Sequence, residues 1–270
     1  MFPSSISEQL MYSTVRITAS DGSTGTGFFF QFKFEEIIVP VIITNKHVVN
    51  YNEDEFVSFK LHTGNLKTKT IDSQSLDVQF KTKWIFHKTH DLCFCYLYPL
   101  ITQIKQSENK DVFFIPITED LIYPTTELEK LSAIEDVIMV GYPKGLWNEK
   151  DNLPLFRKGI TSSHPAIDFN TSGIGVVDMA CFPGSSGSPI FILNENGYSD
   201  NKGNMYLGNK RLIFLGVLYA GPILTIDGEI VTQTQQNLVS KSSIMINLGY
   251  YAKSNELLYF KDIIKEKCGI

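Results

Sequence analysis

Cysteine is scarce in this chain of 270 residues, and its spacing is unsuited to metal binding. Four cysteines are present, at positions 93, 95, 181 and 268, and none forms a Cys-x-x-Cys pair or stands at zinc-finger spacing beside a histidine. Cys93 and Cys95 lie two apart in a segment that predicts a strand, so both should face one side and pack in a core. We expect a reducing compartment, no disulfide scaffold, no metal site and no cofactor.

Long apolar runs and a basic amino end are also missing. The longest nearly apolar stretch, Leu212 to Leu224, is interrupted by two glycines and a proline and is too short to span a bilayer. The first ten residues lack both a basic start and an apolar run of signal-peptide length. These observations predict no export signal, no membrane partner and a cytoplasmic location.

Neither sign of charge dominates the sequence. The 24 basic and 29 acidic residues are interspersed and give a formal charge of −5, so no block of cations is available to bind a phosphate backbone. We therefore expect no nucleic-acid partner. The 43% hydrophobic and 12% aromatic content, rich in Ile, Val, Phe and Tyr, indicates an ordered β-rich protein, long enough to bury one large core or two small ones.

Short β-like runs separated by turn residues occur in two sets, which predicts two β halves of similar size. The first set lies within residues 10–105 and the second within 137–252. Residues 106–136 form a polar connector, with a short helix predicted at 128–134. The closing segment, 253–270, has a Ser at a cap position and apolar residues at helical spacing, which predicts a terminal helix. Residues 194–210, crowded with Asn, Gly, Asp and Ser, indicate a hairpin loop.

The segment Phe182-Pro183-Gly184-Ser185-Ser186-Gly187-Ser188-Pro189 is the most informative for chemistry. A nucleophilic serine needs small neighbours, because the backbone must bend until two N–H groups point at one spot beside the hydroxyl. The expected pair is the amides of Gly184 and Ser186. Taken alone, the segment is equally compatible with an ordinary Gly/Ser turn.

A serine nucleophile requires a histidine base, and the chain offers His47, His62, His87, His90 and His164. All five precede Ser186, which excludes the Ser, Asp, His order of α/β-hydrolases. His47 is favoured because it follows a strongly apolar strand that would hold it rigidly at a cleft.

The base in turn requires a carboxylate to fix its tautomer, and Asp91, just before the apolar run 92–97, is the best candidate. Asp77 is a weaker alternative. A subtilisin-like set of Asp21, His47 and Ser186 has a workable order, but the alternating helices that such a fold requires are missing from the pattern.

Four motifs follow one another in the order found in a known peptidase family: Thr24-Gly25-Thr26-Gly27, Ile43-Thr44-Asn45-Lys46-His47-Val48-Val49, His90-Asp91-Leu92, and Gly184-Ser185-Ser186-Gly187-Ser188-Pro189. With them the chain resembles a trypsin-like peptidase, closer to the bacterial HtrA-type and glutamyl-endopeptidase-like branches than to digestive enzymes, but without a PDZ domain. Ser188 departs from the glycine usual at its position. The resemblance implies an all-β fold of two six-stranded antiparallel barrels, of the chymotrypsin type, followed by a C-terminal helix.

The resemblance also implies roles for individual residues. His47 and Asp91 would come from the first barrel and Ser186 from the second, forming a Ser-His-Asp triad with Gly184 and Ser186 as the oxyanion hole. By the same pattern Ala180 would lie at the base of the substrate pocket, with Leu218, Tyr219 and Ala220 along its wall. None of these is acidic, which favours apolar or small side chains before the cut bond, while His164 leaves an acidic preference open.

The function expected from the sequence is therefore that of a serine endopeptidase acting on protein or peptide substrates through an acyl-enzyme. A cytosolic peptidase that is always active would be hazardous. We therefore hypothesise an activating protein partner or effector, with the turn at Pro183-Gly184 as the element that it orders. The alternative is a catalytically silent trypsin-like module that binds peptides or partners in a regulatory role.

Overall fold

Apolar residues alternate along the first third of the chain, and the computed structural model folds them into one large, mostly antiparallel sheet. The structure describes residues 2–65, 67–230 and 238–269. The strands of this sheet are β1 (Thr14–Ala19), β2 (Thr24–Phe34), β3 (Ile37–Thr44), β4 (Phe56–Asn65), β5 (Thr70–Ile71), β6 (Leu76–Lys81), β7 (Ile85–Phe86), β8 (Cys93–Tyr96), β9 (Val112–Phe113) and β10 (Ile117–Thr118). They pair in the order β5-β4-β1-β2-β3-β8-β7, with β6 and β9 also paired to β4 and β10 running parallel to β2.

The second half has the strands β11 (Asp136–Gly141), β12 (Leu155–Thr161), β13 (Ile174–Asp178), β14 (Pro189–Asn194), β15 (Gly197–Ser199), β16 (Met205–Leu207), β17 (Arg211–Ala220), β18 (Ile223–Ile230), β19 (Leu238–Met245) and β20 (Leu248–Lys253). Six of them form a closed barrel in the order β11-β12-β13-β20-β17-β14. The other four form two separate two-stranded hairpins, β15–β16 and β18–β19.

Helices are few and short. The α-helices are α1 (Ile6–Leu10), α2 (Leu97–Glu108), α3 (Thr125–Leu128) and α4 (Leu258–Cys268), and the 3₁₀ turns are Lys46–Val49, Glu119–Leu121, Pro143–Gly145 and Ser254–Leu257. Helix α2 packs Leu97, Leu100 and Ile104 on the first sheet, at the spacing of one helical face. Within the described residues no helix is both long and apolar enough to cross a membrane.

Aromatic side chains join the two halves into a shared core. Phe28 of β2 lies edge-on to Phe214 of β17, with ring centroids 5.5 Å apart, and Phe260 of α4 meets Phe94 of β8 at 4.9 Å. Each such buried ring stabilises the fold by about 1.5–3 kcal/mol. The shared core places the end of β3 opposite the turn before β14, which are the two segments predicted to carry the chemistry.

The structure confirms the predicted fold class, with a closed six-stranded barrel, a large antiparallel sheet and a C-terminal helix. Local details differ from the sequence predictions. The short helix in the connector is at Thr125–Leu128 rather than 128–134, and α2 was not predicted. The terminal helix begins at Leu258 after a 3₁₀ turn, and residue 270 of the predicted segment lies outside the described residues. The boundaries after residues 105, 136 and 252 stay predictions.

Candidate active site

His47 lies just past the end of β3, in the 3₁₀ turn Lys46–Val49. The last residues of β3 are fully buried, and Val48 and Val49 return into the core, so the backbone on both sides of the histidine is anchored. The imidazole itself keeps 33% of its surface exposed. A rigid backbone with one accessible ring edge is the arrangement that a general base requires.

Asp91 precedes β8, the strand paired with β3, and its carboxylate meets His47 twice. Oδ2 lies 2.5 Å from the Nδ1 atom of His47, and Oδ1 accepts the backbone N–H of His47 at 3.2 Å. The Asn45 side-chain amide donates to the Asp91 carbonyl oxygen at 2.6 Å. A proton on Nδ1 can be donated to the Asp91 carboxylate, which leaves Nε2 unprotonated. In this tautomer Nε2 is able to accept a proton from a serine.

Ser186 lies in a tight turn that opens directly into β14. The turn is closed by backbone hydrogen bonds from Ser185 to Phe182 (2.9 Å) and from Ser188 to Ser185 (3.0 Å). Gly184 and Gly187 have φ angles of +87° and +84°, which only glycine adopts without strain. A methyl group on Gly187 would also overlap a backbone carbonyl oxygen. A methyl group on Gly184 would likewise come too close to the backbone of Tyr142 and Lys144, so both glycines are required by backbone conformation and by space.

The orientation of the peptide between Pro183 and Gly184 is fixed by Lys144. The Lys144 backbone N–H donates to the Pro183 carbonyl oxygen at 2.5 Å. Because this peptide is trans, the Gly184 N–H points in the opposite direction, away from Lys144. Among the described residues neither the Gly184 N–H nor the Ser186 N–H has an acceptor. Two unpaired amides on one tight turn are what an oxyanion hole provides.

Two buried threonines join the halves at this point. The Thr26 hydroxyl donates to the Gly184 carbonyl (3.1 Å) and accepts the Tyr142 N–H (3.1 Å), while its backbone N–H donates to the Ser186 carbonyl (2.9 Å). Thr44, at the end of β3, donates its hydroxyl to the Thr26 carbonyl (2.7 Å). Sequence reasoning missed these roles, although both threonines stand in quoted motifs.

The structure brings His47 and Asp91 together but leaves the contact with Ser186 open. Within the part of the chain that the structure describes, no hydrogen bond joins Ser186 Oγ to His47. The two residues nevertheless flank one seam, since Thr44 packs against Gly187 and stands three residues before His47. The alternative acid, Asp77, is largely exposed and pairs with Lys60 at 3.3 Å.

A pocket of about 250 Å³ lies beside Ser186. Its lining is Cys181, Phe182, Pro183, Ser186, Leu218, Ala220 and Gly221. Burial raises the pKa of the Cys181 thiol to about 11, so this wall is uncharged at neutral pH. The pocket is therefore small and mainly apolar.

The predicted substrate-binding residues divide between two cavities. Leu218 and Ala220 line the pocket at Ser186, whereas Tyr219 lines a separate cavity of about 560 Å³ next to Asp91. Among the described residues Ala180 and His164 line neither, and His164 Nδ1 instead accepts the Ala166 N–H at 3.1 Å. The described residues also contain no group of His, Cys, Asp or Glu able to hold a metal ion.

A family model described as a trypsin-like peptidase domain matches residues 25–197, more than half of the chain. The chain belongs to the trypsin-like peptidase family. The matched region includes the three residues predicted to form a triad, and both the triad and the HtrA-type branch stay predictions. Among solved structures, the scabies mite inactivated protease paralogue S-I1 is 11% identical, with a TM-score of 0.43 over 96% of this chain and 98% of that one. No curated protein matches the sequence.

Proposed function

We propose that the chain is a serine endopeptidase with Ser186 as nucleophile, His47 as base and Asp91 as the residue that orients the base. The His47–Asp91 contact at 2.5 Å is the observation that carries this proposal most directly. It is supported by a serine on a tight turn with two unpaired amides and by an adjacent substrate-sized pocket. Each of the three roles in acyl transfer then has one residue.

The chemistry follows from these positions. Ser186 Oγ attacks the peptide carbonyl carbon while His47 Nε2 accepts the hydroxyl proton, and Asp91 stays ionised beside the resulting imidazolium. The carbonyl oxygen becomes an oxyanion and accepts hydrogen bonds from Gly184 and Ser186. His47 then donates its proton to the leaving amine, which leaves an acyl group on Ser186. Water hydrolyses this ester by the same steps, and Ser186 is regenerated.

The pocket at Ser186 favours a small or medium apolar side chain before the cut bond. It is about 250 Å³ in volume, and its thiol wall is uncharged. A lysine or arginine would meet no acidic group among the lining residues, and burying an unpaired cation is costly. Protein or peptide substrates of this type are the proposed partners, while a cytoplasmic location and the absence of nucleic-acid and membrane partners stay predictions.

An activating partner remains part of the proposal, with a more specific task than the sequence suggested. The Pro183 carbonyl is already held by Lys144 and the Gly184 carbonyl by Thr26, so the oxyanion turn needs no reordering. The open contact is between Ser186 and His47. We therefore assign to the partner, or to the substrate itself, the closure of this contact.

The second candidate, a catalytically silent module that binds peptides in the same cleft, is favoured by one observation. Among the described residues the hydroxyl of Ser186 makes no hydrogen bond to His47, so the base is not yet in contact with its nucleophile. Apo active sites often tighten only with substrate, which is why we place the peptidase first.

A fluorophosphonate probe separates these functions, because it reacts only with an activated serine. We expect labelling of the native chain, loss of labelling in Ser186→Ala, and full labelling in the matched control Ser185→Ala, whose buried hydroxyl has no hydrogen-bond partner among the described residues. Labelling that persists without Ser186 would reject the nucleophile. A native chain that binds an apolar peptide but neither cleaves it nor reacts with the probe would establish the silent module.

Turnover by the isolated native chain tests the activating partner separately. If the contact between Ser186 and His47 needs a partner, the isolated chain should cleave a generic protein substrate slowly. Full activity of the isolated chain would remove the partner from the proposal and leave closure to the substrate.

A further inference from the structure

The loop that leads into Asp91 is folded around the side chain of His87. The His87 backbone N–H donates to the Leu92 carbonyl at 2.9 Å, which closes the loop. The His87 Nδ1 atom accepts two backbone N–H groups from inside it, from Thr89 at 3.2 Å and from His90 at 3.0 Å. The imidazole is buried, with 4% of its surface exposed. A histidine therefore supplies the acceptor that a turn usually takes from Asn or Asp.

This imidazole must be neutral, because a protonated Nδ1 could not accept hydrogen bonds. Burial, reinforced by the charges of His90 and Lys46, lowers the pKa of His87 to about 4. The rings of Tyr259 and Phe260 from α4 cover it at centroid distances of 4.3 Å and 5.5 Å. The Nε2 atom, which carries the proton, faces Glu256, whose carboxylate lies 4.0 Å away.

Glu256 holds the next histidine of the loop from the opposite side. Its Oε2 atom lies 2.9 Å from the His90 Nε2 atom, and both side chains are largely buried. The carboxylate packs directly on Gly173, where a methyl group would overlap it. Glu256 belongs to the 3₁₀ turn Ser254–Leu257 that follows the last barrel strand. The contact thus ties the end of the barrel half to the residue immediately before Asp91.

We propose that His87 and Glu256 are positioning residues for Asp91, and that they act through His90. The main chain of His90 is held by His87 Nδ1 and its side chain by the Glu256 carboxylate. Asp91 follows directly, with its own carbonyl held by Asn45. Within the described residues neither His87 nor Glu256 forms a hydrogen bond or an ion pair with His47 or Ser186.

The consequence for catalysis rests on the proposed function. A displacement of about 1 Å in a catalytic group can lower a rate by about 100-fold. The 2.5 Å contact between Asp91 and His47 leaves little room for such movement. Loss of either support should therefore weaken the triad without removing any of its members.

Four variants test the inference. His87→Leu removes the ring acceptor, and His87→Asn restores an oxygen close to the position of Nδ1. Glu256→Gln removes the charge that faces His90 but keeps the size of the side chain. Glu119→Gln is the matched control, since Glu119 forms an ion pair with Lys261 of α4 at 2.7 Å and also ties the terminal helix to the first half.

Two readouts are used with each variant: kcat and KM on an apolar peptide, and the downfield proton resonance of the short hydrogen bond between His47 and Asp91. We expect His87→Leu and Glu256→Gln to lower kcat by about 10- to 100-fold with little change in KM. Both should also shift or abolish the resonance. His87→Asn and Glu119→Gln should resemble the native chain in both measurements.

If Glu256→Gln retains both kcat and the resonance, the inference is overturned, even if the variant melts earlier. Should His87→Leu fail to fold, Glu256→Gln and His87→Asn decide the outcome. If the native chain shows no turnover, the proposed function fails, but the resonance still tests the positioning. A resonance that is altered in Glu256→Gln but not in Glu119→Gln supports the positioning role of Glu256. A resonance that is unaltered in Glu256→Gln refutes this role.

Discussion

The two sides of the cleft hold their functional groups by different means. On the first side, His47 and Asp91 are fixed by polar side chains, with Asn45 on the Asp91 carbonyl and the carboxylate itself on the His47 backbone and ring. On the second side, the turn around Ser186 is shaped by backbone hydrogen bonds and by glycines at φ angles near +85°. On the first side we therefore expect activity to fall when a substitution removes a polar atom. On the second side we expect activity and stability to fall when a substitution adds an atom to a glycine.

The largest effect is expected from Asp91→Asn on the first side. The amide is nearly the same size as the carboxylate, but it can donate to Nδ1 and so favours the wrong tautomer of His47. We expect kcat to fall by about 10⁴-fold, with a melting temperature close to that of the native chain. Peptide hydrolysis and thermal unfolding of the same preparation measure the two quantities.

Asp77→Asn is the control, because Asp77 is the alternative acid and lies on the same half of the molecule. The Asp77→Asn variant should keep the activity of the native chain, since an exposed ion pair with Lys60 contributes at most about 1 kcal/mol to the free energy of unfolding. Equal losses in both variants would remove the assignment of Asp91 as the orienting acid.

The next largest effect is expected from an added methyl group on the second side. Gly187→Ala would place Cβ onto the Thr26 carbonyl oxygen, at a φ of +84°. Gly203→Ala is a matched control, since Gly203 has a φ of +82° but no atom of the described residues lies within 4 Å of its Cβ position. We expect the control to cost about 1–2 kcal/mol of unfolding free energy, from backbone strain alone.

Gly187→Ala should cost about 2 kcal/mol more than the control, from the overlap, and should abolish turnover. Urea unfolding of both variants measures the difference. If the two variants lose the same free energy, backbone conformation alone restricts position 187, and space around the nucleophile turn is not limiting.

The residues of the proposed triad are easier to find in the sequence than the groups that support them. Ser186 stands in a local cluster of small residues and His47 follows an apolar strand, so both could be found from neighbours in the chain. The hydrogen bond from Thr26 to Gly184 spans 158 residues and depends on how the two halves pack, which no local pattern shows. The same holds for Glu256, whose partner His90 lies in the other half.

Two further differences had a signal that could have been used. Residues two apart on a strand tend to share a face, and Leu218 and Ala220 of β17 line the pocket at Ser186, whereas Tyr219, where β17 shifts register against β20, lines the other cavity. Helix α2 has Leu97, Leu100 and Ile104 at spacings of three and four, with a proline in its first turn, where proline is tolerated. Both patterns are local, and both lay within reach of the sequence.

A smaller effect is expected where the first side supports the second. Thr26→Val removes the hydroxyl that meets Gly184 and Tyr142 and leaves a buried N–H unpaired. We expect a loss of about 2 kcal/mol of unfolding free energy and about a tenfold fall in kcat/KM, because the oxyanion turn loses one of its supports. Thr26→Ser keeps the hydroxyl and should recover most of kcat/KM. If Thr26→Ser, which keeps the hydroxyl, loses as much as Thr26→Val, the hydrogen bonds of this hydroxyl do not explain the loss.

The smallest effect is expected from Ser188→Ala, and it tests the comparison most sharply. Ser188 is fully buried in the nucleophile turn, yet within the described residues its hydroxyl has no hydrogen-bond partner. Removing an unpaired buried hydroxyl should change the unfolding free energy by no more than about 0.5 kcal/mol and leave kcat/KM unchanged. Thr26→Val also removes a buried hydroxyl, but one that is paired, so the two urea midpoints should differ clearly. A loss above about 1 kcal/mol in Ser188→Ala would mean that side-chain polarity supports both sides of the cleft, and the contrast between them would fail.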